Sequence, residues 1–60
     1  MNLIKMGMWI KNKRGVYVVD SIEDRFVILK DVFLDDKGAI IYGNKKRFIG
    51  IDDLDNYSMA

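Results

Sequence analysis

Apolar residues along the chain fall in short runs that are separated by polar breaks. The densest run covers residues 16–34, in which VYVVDSI and RFVILKDVFL flank the polar pair Glu23-Asp24. Both segments are rich in β-branched and aromatic residues, which favour strands, and a two-residue break between such segments is typical of a hairpin. The pattern therefore predicts two central antiparallel strands, over residues 16–22 and 25–34, around which the rest of the chain is organised.

Shorter apolar runs on either side predict three more strands. Residues 8–11 predict a first strand in which Trp9 faces away from Met8 and Ile10. The fourth and fifth strands are expected over residues 39–42 and 47–51. The polar break between these two, residues 43–46, predicts a turn.

Two other polar breaks also predict tight turns. Residues 12–15 and 35–38 each end in a glycine, and both are rich in residues that favour turns. Asn12 and Gly15 are suited to positive φ in the first turn, and Gly38 is suited to the left-handed position of the second. These turns would join the first strand to the second and the third to the fourth.

Lys30-Asp31 interrupts a third strand that is long for so short a chain, which predicts a bulge or bend there. Residues 52–57 predict a single helical turn with Asp52 as its N-cap. This turn would place Leu54, with Tyr57 as a second candidate, on the open end of a small barrel. Helical periodicity is not found elsewhere in the sequence.

Five short strands in meander order, followed by a closing helical turn, resemble the small barrels of the Src-homology-3-like (SH3-like) kind over residues 8–57. The resemblance implies an all-β fold, a small five-stranded SH3-like antiparallel β-barrel with one short C-terminal helical turn. We expect residues 8–60 to form a single small domain. Residues 1–7 would be an N-terminal extension or an edge strand.

Residues 15–29 carry a second resemblance, through four apolar residues that follow a turn glycine: Val19, Ile22, Val27 and Leu29. The segment is similar to the KOW segment of ribosomal and transcription-elongation proteins. Extended to Asp31, it resembles the first Sm motif of the RNA-binding Sm and Hfq families. Residues 47–50 read RFIG where the second Sm motif has a paired Arg-Gly, and the N-terminal helix of those families is absent. We therefore carry over no functional residue, and neither ring assembly nor uridine binding follows from the resemblance.

The length of 60 residues leaves little room for a core, since a chain of this size buries only about 60% of the surface that it exposes when unfolded. Self-association or partner binding is therefore expected to add stability. The net charge is +1, from ten basic and nine acidic residues, so no strong overall field favours nucleic acid or anionic lipid.

The N-terminal apolar stretch is interrupted by Lys5 and Gly7, and no run approaches the length of a membrane span. We therefore expect neither a signal peptide nor a membrane helix, and a cytoplasmic location. The absence of cysteine rules out disulfide bonds within the chain.

The sequence contains few of the groups that usually carry out catalysis or bind metal ions. Histidine and cysteine are absent, which removes the commonest metal ligands, the thiol nucleophile and the usual general base. The carboxylate pairs, Asp35-Asp36 and Asp52-Asp53, lie on predicted turns where aspartate is favoured by local hydrogen bonding. A calcium loop over residues 53–56 would lack its glycine. We expect a protein that is not an enzyme and holds no cofactor or metal.

Apolar residues occupy both faces of the two central strands, which indicates that both faces are covered. Val16, Val18 and Ile22 are expected on one face of the second strand, opposite Tyr17 and Val19, and in the third strand Phe26 and Ile28 are expected opposite Val27 and Leu29. A small barrel has a single interior, so the second set of apolar residues must meet another part of the chain or another molecule. Large aromatic residues carry much of the binding energy of interfaces. The expected contact residues for a protein partner or a second copy are Trp9, Tyr17, Tyr42 and Phe48.

The alternative is an RNA- or single-stranded-DNA-binding module, because basic residues alternate with aromatic ones, which is typical of small nucleic-acid-binding barrels. The candidate phosphate contacts are Lys11, Lys13, Arg14, Lys45, Lys46 and Arg47. In a meander, however, residues 12–15 would share an end of the sheet with Asp35-Asp36. Residues 44–46 would likewise share the other end with Glu23-Asp24. Such charge balance also fits solvated hairpin ends, since phosphate binding needs uncompensated positive charge.

Overall fold

The computed structural model describes residues 4–60 as one five-stranded antiparallel sheet with the strand order β4-β3-β2-β1-β5. The strands are β1 (Trp9–Asn12), β2 (Gly15–Ile22), β3 (Phe26–Leu34), β4 (Ile40–Gly50) and β5 (Ser58–Met59). A 3₁₀ helix, Ile51–Asn56, joins β4 to β5. The predicted all-β class is confirmed. The sheet is open, with β4 and β5 as its edges.

The hairpin of β1 and β2 reverses at Lys13-Arg14, with Asn12 paired to Gly15. The Asn12 Oδ1 atom accepts hydrogen bonds from the backbone N–H groups of Arg14, at 2.8 Å, and of Gly15, at 3.2 Å. The turn was expected to depend on positive φ at Asn12 and Gly15. That prediction is wrong, because neither residue has a positive φ. The asparagine side chain satisfies the turn's backbone donors instead.

A register shift after Val19 interrupts the pairing of β2 with β3. Val19 pairs with Leu29, whereas Ile22 pairs with Val27, so one extra residue lies on β2 between these pairs. A one-residue insertion moves the following side chains to the other face of the sheet. Ile22 therefore shares a face with Val19 rather than with Val18, and its expected placement is wrong.

A bulge or bend was expected at Lys30-Asp31, and the register of β3 against β4 does shift there, between Lys30 and Val32, although the extra residues lie on β4. The turn predicted at residues 43–46 is wrong: those residues lie within β4, a single strand of 11 residues. The strand continues because three of its residues, 43–45, are accommodated opposite Asp31 as a bulge. The last strand of the sheet is Ser58–Met59, which pairs with β1.

One face of the sheet carries the core, whose buried residues are Ile10, Tyr17, Val19, Val27, Leu29 and Leu54. The 3₁₀ helix brings Leu54 onto this face, as predicted, and Tyr57 is half-buried beside it. Gly50 rather than Asp52 occupies the N-cap position, and no side chain caps the helix. We call the opposite face the outer face. Within residues 4–60, no helix or strand covers it.

The N-terminal segment joins the core only in part. Ile4 packs against the core, and the Gly7 N–H donates a hydrogen bond of 2.8 Å to the Val19 carbonyl oxygen. Residues 4–7 contain a turn rather than the edge strand that was one expectation. The prediction also covered residues 1–3, which lie outside the described part of the chain.

Candidate interaction surface

Residues 33–42 form a hairpin arm that projects beyond the sheet. The last pair between β2 and β3 is Val16 with Val32, and beyond it β3 pairs only with β4. The molecule is accordingly elongated, with extents of 36 × 19 × 17 Å. The arm therefore has strand neighbours within its own hairpin alone.

Asp35 organises the tip of the arm. Its Oδ1 atom accepts hydrogen bonds of 2.8 Å from the backbone N–H groups of Lys37 and Ala39. Two backbone hydrogen bonds, from Asp35 N–H to the Ala39 carbonyl and from Gly38 N–H to the Asp35 carbonyl, close the loop. Gly38 takes the left-handed conformation, with a φ of 83°, as predicted. The aspartate thus satisfies backbone donors that a turn of this kind would otherwise leave to solvent.

Gly43 lies at the base of the arm, where β4 passes close to β3. A Cβ atom at this position would lie 3.2 Å from the Cβ of Asp31 and 3.3 Å from Cε2 of Phe33. Glycine permits this approach because it has no side chain. The residue interpreted as a turn signal thus allows two strands to approach closely at a bulge.

Both faces of the arm present large apolar side chains to solvent. Phe33 and Ile41 form a cross-strand pair on one face, and Leu34 pairs with Ile40 on the other, next to Tyr42. These five side chains are between 47% and 69% exposed. Summed over both faces, they present on the order of 400–500 Å² of surface, since a large side chain exposes roughly 150–250 Å² when free. The largest apolar patch of a typical monomer covers roughly 300–600 Å² and is often functional.

The arm continues into the outer face of the sheet through Tyr42. The ring of Tyr42 meets the ring of Trp9 edge to face, with 6.4 Å between centroids and an interplanar angle of 86°. At the other end of this face, the rings of Phe26 and Phe48 lie 5.6 Å apart, and Phe48 is 64% exposed. Three of the four aromatic contact residues predicted from the sequence therefore lie on one face and are at least partly exposed.

Tyr17, the fourth predicted contact residue, lies in the core with 5% of its surface exposed. The expectation that its ring is available to a partner is wrong, because Tyr17 shares its face with Ile10 and Asp31 through the strand register. Its ring packs edge to face against Tyr57, at 5.9 Å, and beneath the guanidinium of Arg47, at 5.6 Å.

Arg47 is held in place by Asp31. Its Nε atom donates a hydrogen bond of 2.8 Å to Asp31 Oδ1, and a second contact of 3.4 Å joins Nη2 to Oδ2. The hydrogen bond, with the charge of Asp31, raises the pKa of Arg47 above its ordinary value. An arginine engaged in this way on the core side is a poor candidate for the predicted phosphate contact.

The other predicted phosphate contacts do not form one cluster. Lys13 and Arg14 lie at the β1–β2 turn, and Lys45 and Lys46 lie in the middle of β4. The expectation that residues 44–46 share a turn end with Glu23-Asp24 is wrong, because no turn exists there. The register instead places Lys46 of β4 directly opposite Lys30 of β3.

Lysines and aromatic rings share the outer face. Trp9 pairs with Val18, which pairs with Lys30, and Lys30 pairs with Lys46, so all four side chains belong to the same face as Tyr42. Lys11 lies two residues from Trp9 on β1 and shares that face. The one ion pair of this region among residues 4–60 joins Lys30 to Asp20, at 3.8 Å.

Groups for metal binding are not brought together within residues 4–60. No group of three or more acidic, histidine or cysteine residues is placed to hold a metal ion in that part of the chain. The single described helix, the 3₁₀ turn, is too short to cross a membrane. No family model, curated protein or solved structure matches the chain.

Sequence reasoning missed the arm as a surface. Phe33, Leu34 and Ile41 were interpreted only as ordinary strand residues. A detectable signal was present, since β2 begins only at the turn of residues 12–15, and β3 runs two residues beyond its last pair with β2. Apolar pairs beyond that point have no strand to cover them.

Proposed function

We propose that the chain is a non-catalytic protein-interaction module that binds a second copy or a larger protein through the hairpin arm. The observation that carries the proposal is the exposure of five large apolar side chains on a segment that adds nothing to the buried core. A chain of 60 residues has few apolar residues to place. Clustered exposed apolar side chains on so small a protein often mark a contact with another molecule.

We also infer an SH3-like barrel as the finer description of the fold. Three consecutive antiparallel hairpins lead through a 3₁₀ helix to a strand that returns beside β1, which resembles the SH3-like strand order. Small barrels of this type are common binding modules, but fold alone does not assign a function. The proposed function therefore rests on the exposed arm rather than on this resemblance.

Matched single substitutions test the proposed function. Leu34 in the arm is 69% exposed and Met59 in β5 is 66% exposed, so both can be replaced by serine at little cost to the core. We expect wild type and Met59→Ser, but not Leu34→Ser, to show a mass above the monomer in sedimentation velocity or to retain a protein partner when immobilised. The proposal fails if the wild type does neither, or if Leu34→Ser and Met59→Ser behave alike.

Single-stranded nucleic acid is a second candidate ligand, favoured by the outer face. There, Trp9 and Tyr42 alternate with Lys11, Lys30 and Lys46, and exposed rings beside lysines can stack on bases while the ammonium groups meet phosphate. Trp9 is the single tryptophan of the chain, so its fluorescence reports binding directly. This hypothesis predicts quenching by single-stranded RNA or DNA that weakens steeply with salt. No quenching at low salt would refute it.

A further inference from the structure

We infer that the molecule covering the arm is a second copy of this chain, paired antiparallel along the first residues of β4. The inference rests on the proposed function and specifies its partner. The two open sheets would join into one continuous sheet, with a two-fold axis perpendicular to it. Each arm would lie beside the arm of the other copy.

The outer edge of β4 is suited to such pairing. Within residues 4–60, no strand pairs with that edge, and β4 is far longer than β5, the edge strand on the other side. Natural proteins usually protect edges with bulges and lysines. Here the bulge over residues 43–45 and Lys45-Lys46 protect the second part of β4, whereas residues 40–42 are regular and apolar.

The side chains select a register centred on Ile41. In that register Ile41 lies opposite Ile41 of the second copy, and Ile40 lies opposite Tyr42. Residues that lie opposite each other in antiparallel strands share a face. One face would then carry a row of Phe33, Ile41, Ile41 and Phe33, and the other face would bring Leu34, Ile40 and Tyr42 of both copies together.

Charge distribution supports the same register. Past the apolar residues, it brings the tip of one arm, which carries Asp35, Asp36 and Lys37, close to Lys45 and Lys46 of the other copy, and two-fold symmetry repeats this contact. A register centred on Lys45 would instead place Lys45 opposite itself, and like charges directly opposite each other are unfavourable. The tip, which is acidic overall, and the basic part of β4 therefore attract each other in the first arrangement.

The available surface sets the strength of the dimer. Edge-to-edge pairing covers only part of the apolar surface of the two arms, which is on the order of 800–1,000 Å² in all, so the interface lies at or below the lower limit for specific interfaces. We therefore expect a reversible dimer with a dissociation constant in the micromolar range rather than a permanent one.

Cysteine cross-linking tests the register, because the chain contains no cysteine of its own. Opposing Cβ atoms in antiparallel strands are about 4.5–5.5 Å apart, close enough for a disulfide after a small adjustment. We expect Ile41→Cys to form a disulfide-linked dimer on mild oxidation. Phe33→Cys, on the same face but one strand inward, and Lys45→Cys, at the centre of the competing register, serve as controls and should cross-link far less. Equal cross-linking of the three variants would overturn the inference.

A charge exchange provides an independent test. Asp36→Lys and Lys46→Glu should each weaken the dimer about three- to tenfold in sedimentation equilibrium, because each breaks two symmetric contacts of modest strength. The double variant should restore wild-type affinity. Additive weakening in the double variant would overturn the inference.

If Leu34→Ser abolishes partner binding while Ile41→Cys never cross-links, the proposed function stands and the second copy is excluded. If the wild type dimerises and Leu34→Ser has no effect, the proposed function itself fails.

Discussion

Gly43 shows how one residue type can serve two opposite structural purposes. In the sequence, glycine followed by asparagine and lysines indicates a reversal of the chain. In the structure, Gly43 is part of an extended strand, and the absence of a side chain lets β4 pass close to Asp31 and Phe33. The close approach positions the start of the hairpin arm.

Gly43→Ala is expected to lower the free energy of unfolding by about 1–2 kcal/mol, because the added methyl group overpacks against Asp31. The Asp31 Cβ atom can move little, since Arg47 holds the carboxylate. Gly15→Ala is the matched control: no atom lies within 4 Å of its added Cβ and its φ is not positive, so stability should change by no more than about 0.5–1 kcal/mol, in either direction. Urea denaturation measures both. Equal effects of the two substitutions would contradict the close contact at Gly43.

Ionisation of Tyr57 makes the stability of the fold depend on pH. Burial raises the pKa of its hydroxyl above the ordinary value of 10.0, and neighbouring Tyr17 adds to the shift, while Arg47 and a hydrogen bond with Asn12 oppose it. The folded chain therefore holds this proton more tightly than the unfolded chain. The resulting stability is complete below pH 10 and is lost as the pH rises through the folded-state value.

Tyr57→Phe should accordingly make the alkaline loss of stability shallower between about pH 9 and pH 11, where the wild-type tyrosine ionises more readily in the unfolded chain. The comparison of slopes matters, since the two proteins share every other ionisable group. Chemical denaturation at several pH values gives the two slopes. Parallel slopes would show that Tyr57 ionises equally well in the folded and unfolded states.

The tip of the β3–β4 hairpin depends on a single carboxylate. Asp35→Ala removes two hydrogen bonds to backbone N–H groups and should lower the free energy of unfolding by about 1 kcal/mol. Asp36→Ala, in the same turn, removes a carboxylate that accepts no hydrogen bond from the described residues and should cost less than about 0.5 kcal/mol. Thermal unfolding in dilute solution, below the range of self-association, separates the two. A larger loss for Asp36→Ala would contradict the assigned turn geometry.

The sequence predicted the central strands, the turn at residues 35–38, the position of the register shift at Lys30-Asp31 and the placement of Leu54, because each depends on local pattern. The continuity of β4 could not be predicted, since it depends on a close contact between Gly43 and a residue on another strand. The burial of Tyr17 was predicted wrongly for a related reason. Alternation places Tyr17 and Trp9 on defined faces of their strands, but only the position of the 3₁₀ helix decides which face becomes the core.

The molecule has one core and two apolar faces. Leu54 and its neighbours cover one face of the sheet, whereas the outer face and the arm keep large apolar side chains exposed. So small a chain gains relatively little from burial within itself. Pairing of two arms would extend the sheet and cover part of this surface, which links the marginal size of the chain to its proposed self-association.

Hydrogen exchange at two protein concentrations tests this self-association most directly. Amide groups of residues 40–42 that face away from β3 have no partner strand in a monomer and gain one in the paired dimer. The amides of Val27 and Leu29, which lie between two strands, provide the internal reference. The account predicts that exchange at residues 40–42 slows markedly, relative to the reference, as the concentration rises through the micromolar range. Relative exchange rates at residues 40–42 that stay the same at all concentrations would contradict it.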